Sequence, residues 1–218
     1  YQLHWPERIT NTFGKRDFDS SVNDKWEENF ENVLFNLKTI ISSGKVRQIG
    51  ISNENPWAFM KYLELSKKKL PKTITIQNPY SLLNRLFEIG NSEICMREDV
   101  GLLAYSPLGF GVLSGKYLNG NMPKDSRLKL FPNLSRFSGE NSMKATSMYY
   151  NISKKYNLSL TQMALSFVNS RPFVTSNIIG ATKLNQLKEN IESINIDLSE
   201  DVLKEINEVH KLIPNPAP

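Results

Sequence analysis

The sequence has little of what builds staples, metal clusters or membrane spans. Its 218 residues include one cysteine, Cys95, and two histidines, His4 and His210. One cysteine permits no internal disulfide, and these three residues supply too few ligands for a Cys/His metal site. No metal is expected, and Cys95 reads as a small buried apolar residue. No apolar run approaches the ~20 residues that a membrane-spanning helix needs. No membrane partner is expected, no signal peptide is visible, and a cytoplasmic compartment fits. Charge of one sign is scarce as well. Lys and Arg number 27 against 22 Asp and Glu, a net charge of +5. That excess favours an anionic ligand but is too dispersed for nucleic acid. The longest basic run, Lys67-Lys68-Lys69, falls at the end of a predicted helix, where cations complement the dipole.

What is present is the composition of a folded domain. Hydrophobic residues at 39% and charged residues at 22% set the chain apart from disordered ones. Short apolar runs alternate with helical periodicity. An opening β-like run ends at His4, just before Pro6, and further strands are predicted at 46–51, 73–78, 101–106 and 174–179. Helices are predicted at 26–41, 56–65, 87–97, 141–155, 160–170, 184–194 and 199–212. Gly44 is a natural stop for the first helix, and Pro56 suits the first turn of the second. Ser199, Glu200 and Asp201 suit the start of the last. A long loop follows Pro107, glycine-rich at first and then basic.

Strands separated by helices mean βαβ units and a parallel α/β sheet. Each strand delivers polar residues just before a break: His4, Ser52-Asn53, Gln77-Asn78, Tyr105-Ser106 and Thr182. In barrels and open parallel sheets alike, such ends lie on one face, where ligands bind. About five units are visible, whereas a (β/α)8 barrel has eight in ~250 residues. The segment Gly109-Phe110-Gly111-Val112-Leu113-Ser114-Gly115 has the spacing GxGxxxG rather than GxGxxG, and no acidic strand end is suitably placed. It is not a Rossmann fingerprint.

Five motifs occur in one order. They are Gln2-Leu3-His4-Trp5-Pro6, the run from Gly44 to Asn53, Gln77-Asn78-Pro79-Tyr80, Tyr105-Ser106-Pro107-Leu108-Gly109 with Gly115-Lys116-Tyr117, and Gly180-Ala181-Thr182 with Gln186, Glu189 and Asn190. Together they resemble the aldo-keto reductases along the whole chain. The resemblance implies a (β/α)8 TIM barrel that binds NADP(H) without a Rossmann domain. On this resemblance residues 1–218 are the C-terminal portion of the barrel, about strands four to eight with their helices. The first three βα units are expected in the full chain. The family's catalytic set is Asp, Tyr, Lys and His. Only the histidine motif is matched, so His4 alone is carried over as catalytic. Tyr80, Tyr105, Tyr117, Tyr149 and Tyr150 do not match the family's proton donor.

Carbonyl reduction builds negative charge on the carbonyl oxygen, so a donor must meet it and an acid must protonate it. A strand-end histidine suits the first task. The plainer reading of His4 is a core histidine satisfied by backbone. By resemblance Ser52, Asn53 and Gln77 take the nicotinamide carboxamide, against a reading as simple strand ends. Tyr105 offers a flat face to the nicotinamide ring, against core packing. The stretch of Ser106, Pro107, Leu108, Gly109, Phe110 and Gly111 offers backbone donors to a pyrophosphate, Pro107 itself having no N–H. Lys116 and Arg127 are charge partners for phosphates, against exposed bases on a loop. The turn before 184 aims free N–H groups and a helix dipole at an anion. There the resemblance places the 2′-phosphate and adenosine on Gly180, Thr182, Gln186, Glu189 and Asn190. A carboxylate repels phosphate, so Glu189 is expected at the adenine amine.

Two function classes stand. One is an NADP(H)-dependent oxidoreductase of aldehyde or ketone carbonyls on small molecules. The other is a cofactor-binding regulatory subunit with little turnover, and an inactive fragment is a third, simpler reading. The substrate and oligomeric state are left open. Five-eighths of a barrel exposes two sheet edges and an uncovered inner face. The isolated chain is therefore expected to be poorly soluble or oligomeric and to lack reductase activity. Sedimentation velocity and an NADPH-oxidation assay check this, and a monodisperse monomer with turnover contradicts it.

Overall fold

The computed structural model describes residues 1–218 apart from Thr12, Asn133 and Leu134. Among the described residues the order is β1 (Gln2–Leu3), α1 (Phe30–Ser42), β2 (Ile49–Ser52), α2 (Pro56–Ser66), β3 (Thr73–Pro79), α3 (Asn91–Glu98), β4 (Gly101–Tyr105), α4 (Arg127–Leu130), α5 (Glu140–Lys155), α6 (Leu160–Asn169), β5 (Val174–Asn177), α7 (Leu184–Glu192) and α8 (Glu200–Leu212). The sheet order is β1-β2-β3-β4-β5, and β2 pairs parallel with both β1 and β3. The fold is α/β, as the alternation predicts. The register shifts between Ile49 and Gly50. A Cβ at Gly50 would collide with the Thr75 hydroxyl and lie 3.0 Å from the Thr75 carbonyl, so glycine permits this close approach without displacing Thr75.

The chain divides into two units. The first comprises Tyr1–Asn78 and Phe87–Leu103. Its core packs Phe30, Leu34 and Leu37 of α1 and Phe59, Tyr62 and Leu63 of α2, with Ile49, Ile51 and Ile76 from the strands. Helix α1 starts at Phe30, four residues later than the periodicity predicts. Asp24 is the cause: its carboxylate accepts from Trp26 N at 2.9 Å and from Ile9 N at 2.7 Å, which holds the preceding backbone in a turn. Trp26 still joins the core, edge-on to Phe30 at 5.3 Å and to Trp57 at 6.4 Å. The predicted helix over 87–97 is split. A 3-10 turn, Leu86–Glu88, is separated from α3 by Gly90 at φ +89°. Strand β2 begins three residues later than predicted, and β3 includes Pro79 as its last residue. Asn55 caps α2 by accepting from Ala58 N at 3.2 Å, with Pro56 in the first turn as expected.

A buried ion pair ties the connection after β1 to the loop after β2. Arg8 donates both terminal nitrogens to Glu54, at 3.1 and 2.6 Å, with side-chain exposures of 7% and 4%. The guanidinium also donates to Asn55 Oδ1 at 3.2 Å and lies 5.2 Å from the Trp57 ring centroid. The Glu54 carbonyl in turn accepts from Asn78 Nδ2 at 2.9 Å.

The second unit comprises Pro79–Leu86 and Ala104–Pro218. Helix α6 is buried along most of its length, and Met163, Ala164, Leu165, Phe167 and Val168 have no exposed surface. The C-terminal residues are stitched to this core. Ala217 N donates to Leu83 O at 3.0 Å, Ser142 Oγ to Pro216 O at 3.1 Å, and Arg85 N to Asn215 Oδ1 at 2.7 Å. Strand β4 ends at Tyr105 and β5 at Asn177, one and two residues earlier than predicted. The long loop after Pro107 contains 3-10 turns and the four-residue α4.

Truncating one member of a buried bidentate pair strands the other charge. Glu54→Ala is expected to lower the unfolding free energy by about 3–5 kcal/mol in urea titrations; a loss near zero contradicts the pairing. Burial also pushes the Cys95 thiol up to about 12 from 9.0. The folded state favours the neutral thiol, so its contribution is complete below about 9 and is lost as pH rises toward 12. Cys95→Ala should flatten the stability profile across that window relative to the parent.

Candidate functional site

In the first unit, one residue gathers three strand ends. Asn53 has φ +60°, a left-handed conformation that asparagine tolerates better than most residues. This turn sends its side chain back, where Nδ2 donates to His4 O at 2.8 Å and to Ser52 Oγ at 3.1 Å. Ser52 Oγ donates to Gln77 O at 2.6 Å, and Asn53 N donates to the same carbonyl at 3.1 Å. The structure thus brings His4, Ser52, Asn53 and Gln77 together, as the strand-end reading predicts. Their shared bonds run largely to backbone. Ser52 is buried, Asn53 and Gln77 are half-buried, and His4 is exposed. The His4 imidazole lies 5.5 Å from the Trp5 ring, and Trp5 meets Phe13 edge-on at 5.1 Å. In this chain the His4 side chain is exposed, and its backbone carbonyl is fixed by Asn53.

In the second unit, Tyr105 O accepts from Tyr80 N at 3.2 Å, which sets the strand end. Burial holds the Tyr105 hydroxyl above the usual phenol range, opposed by the Arg136 guanidinium that hydrogen-bonds it. Arg136 is likewise held below its ordinary value by burial. It lies 4.5 Å from the Phe137 ring and donates to Pro218 O at 3.3 Å.

The turn after Tyr105 departs from ordinary backbone. Ser106, Gly109, Phe110 and Gly111 all have positive φ, of 56°, 52°, 56° and 86°. Two of its predicted anion donors face inward instead, because Gly109 N bonds Ser106 O and Gly111 N bonds Leu108 O, each at 2.9 Å. Pro107 is buried and Leu108 half-buried. Cations collect over this turn. Lys116 lies so close that a Cβ on Gly111 would come within 2.6 Å of its ammonium. Arg127 opens α4, and its guanidinium covers the Phe110 ring at 4.4 Å. Tyr117 fastens the loop by its hydroxyl, which accepts from Leu128 N at 3.3 Å and reaches Phe110 O at 3.5 Å.

The turn before α7 differs from the free-donor reading. Thr182 N, Thr182 Oγ1 and Lys183 N donate to Gln186 Oε1 at 3.1, 3.2 and 3.2 Å. Gln186 sits three residues after the N-cap, Lys183, and reaches back to cap its own helix. Asn190 is buried and donates to Gly180 O at 3.4 Å. Glu189 accepts from the Ser159 hydroxyl. Ser159 is the N-cap of α6, where it also accepts from Gln162 N at 3.5 Å. The pattern Ser159-x-x-Gln162 is a capping signature that sequence alone offers. Nothing in the sequence marks Arg136 as the partner of Tyr105. His210 lies half-buried on α8. Among the described residues no group of three or more His, Cys, Asp or Glu is placed to hold a metal, and no helix is long and apolar enough to cross a membrane.

Residues 1–211 match the family described as "Aldo/keto reductase family". The protein tas of Escherichia coli (strain K12) is 49% identical over 219 residues, covering all of this chain and 63% of the relative. An aldo-keto reductase of Babesia bovis is 37% identical over 224 residues, covering 96% of this chain and 79% of the relative. The L-glyceraldehyde 3-phosphate reductase of Escherichia coli (strain K12) is 35% identical over 166 residues, covering 73% and 47%. The chain thus spans 63% of the length of the tas protein. By a match that takes in nearly every residue, the chain belongs to the aldo/keto reductase family.

Proposed function

We propose that the chain is the cofactor-holding portion, with one catalytic residue, of an NADP(H)-dependent oxidoreductase that reduces aldehyde or ketone carbonyls. The parallel sheet, the family and the share of the relatives covered support reading it as the C-terminal portion of a (β/α)8 barrel, strands four to eight. One relative is named as a reductase of a phosphorylated aldehyde, which supports a carbonyl substrate.

The observation that carries this reading is the pair of cations over the turn after Tyr105. Lys116 presses on Gly111 and Arg127 covers Phe110, so two positive charges flank a glycine-bearing turn of positive φ. Such a turn fits a pyrophosphate. Ser106, Pro107, Leu108, Gly109, Phe110 and Gly111 line the backbone track, and Lys116 and Arg127 neutralise the phosphates. Tyr105 offers its ring face to the nicotinamide, with the hydroxyl tethered by Arg136. Ser52, Asn53 and Gln77 present hydroxyl and amide groups to the carboxamide. Gly180, Thr182, Gln186, Glu189 and Asn190 take the 2′-phosphate and adenosine, the Thr182 donors exchanging Gln186 Oε1 for the phosphate. The bound cofactor supplies hydride chemistry. His4 donates to the substrate oxygen as charge develops there. The Asp, Tyr and Lys of the family's set have no match assigned among these 218 residues, and His4 is the one member of the set proposed here.

Fluorescence titration tests the cofactor claim. NADPH is expected to bind more tightly than NADH by about tenfold, the scale of one charge-assisted contact to the 2′-phosphate. His4→Ala should leave that affinity unchanged within about twofold, because His4 serves the substrate oxygen. Absence of saturable NADPH binding contradicts the proposal.

A further inference from the structure

The carboxylate of Glu189 is held from one side by an element outside its own helix. Glu189 lies on α7 and is half-buried. Its Oε1 accepts from the hydroxyl of Ser159, the N-cap of α6. A serine hydroxyl has one proton to give and lone pairs to receive. Here the proton goes to Glu189 and a lone pair receives Gln162 N at 3.5 Å. The two roles are chemically compatible, and the donor to Glu189 is fixed by the start of a helix most of whose residues are buried.

The surrounding donors are engaged elsewhere. Thr182 and Lys183 give their N–H groups to Gln186 Oε1, and Asn190 Nδ2 is directed to Gly180 O at 3.4 Å. With Oε1 engaged by Ser159, Glu189 Oε2 is left as a pure acceptor on the helix that this turn leads into. A pure acceptor selects a donor. A purine with an exocyclic amine supplies one, whereas a purine with a carbonyl at that position sets acceptor against acceptor.

We infer that Ser159 is a positioning residue that aims the Glu189 carboxylate at the exocyclic amine of a purine, so that the Ser159–Glu189 hydrogen bond sets the preference for adenine over hypoxanthine. This rests on the reading that Glu189 meets the adenine part of NADP(H). A site that hydrogen-bonds a ligand group rejects the analogue that leaves the site's own group unpaired, a stronger source of specificity than shape alone. Ser159 touches no part of the cofactor itself and acts through Glu189.

The experiment compares NADPH with its deaminated counterpart, which carries hypoxanthine in place of adenine, by fluorescence titration of the full-length protein. The wild type is expected to prefer NADPH by about tenfold or more, the worth of a hydrogen bond to a charged group. Ser159→Thr keeps the hydroxyl and should keep the ratio. Ser159→Ala should bring it to within about threefold, chiefly by weakening NADPH. Ser159→Asp retains a capping acceptor for α6 but removes the donor, so it should lose the ratio with the helix start intact, as circular dichroism would show. A wild-type ratio in both Ser159→Ala and Ser159→Asp overturns the inference while leaving the role of Glu189 standing. A wild type that binds both ligands equally, or neither, removes the role of Glu189 and the inference with it. Glu189→Gln separates these cases, since it should abolish the preference wherever Glu189 reads the amine.

Discussion

Unpaired polar groups at the ends of parallel strands are the constraint on which the first unit depends. A strand end leaves carbonyls and N–H groups without ladder partners, and buried ones must be satisfied. Asn53 resolves this for three strands at once. Its left-handed backbone returns the side chain to His4 O and Ser52 Oγ, while its N–H and the Ser52 hydroxyl both reach Gln77 O. The polar residues that look like ligands are thus structural first. That does not weaken the functional reading. A group intended for a small ligand must be held in place before the ligand arrives, and these bonds hold it.

The second unit solves a different problem, how to keep a glycine-bearing turn open yet shaped. Positive φ at Ser106 and Phe110 carries strain, since neither is glycine. Rings and cations hold it. Phe110 packs edge-on to Phe137 at 4.7 Å, and Arg127 covers its other surroundings at 4.4 Å. A cation over an aromatic ring at an exposed position is worth only about 0.5–1 kcal/mol. The Arg127 contact therefore holds the Phe110 ring only weakly. Tyr105 is held more firmly, between Tyr80 and Arg136.

Much of this was legible in the sequence. The β-branched runs, Gly44, Pro56 and Ser199 place strands and helix ends that the structure repeats to within a few residues. The failures have local causes. Asp24 turns the chain and delays α1, and the positive φ of Gly90 divides a helix that hydrophobic spacing presents as continuous. At the candidate site the residue types were legible but their bonding was not. Gln186, expected as a ligand by resemblance, also caps its own helix, which engages the donors of Thr182 and Lys183. Arg136 gave no sign, because its partner Tyr105 lies 31 positions earlier with no spacing rule to join them.

The central claim is that this chain holds NADP(H) with its strand-end and turn residues. Amide hydrogen exchange read by mass spectrometry, with and without NADPH, tests it most directly. The account predicts slowed exchange confined to three segments: the turn at Ser52 and Asn53, the turn from Ser106 to Gly111, and the stretch from Gly180 to Asn190. Unchanged exchange in all three at saturating NADPH, or protection located only in other segments, would contradict it.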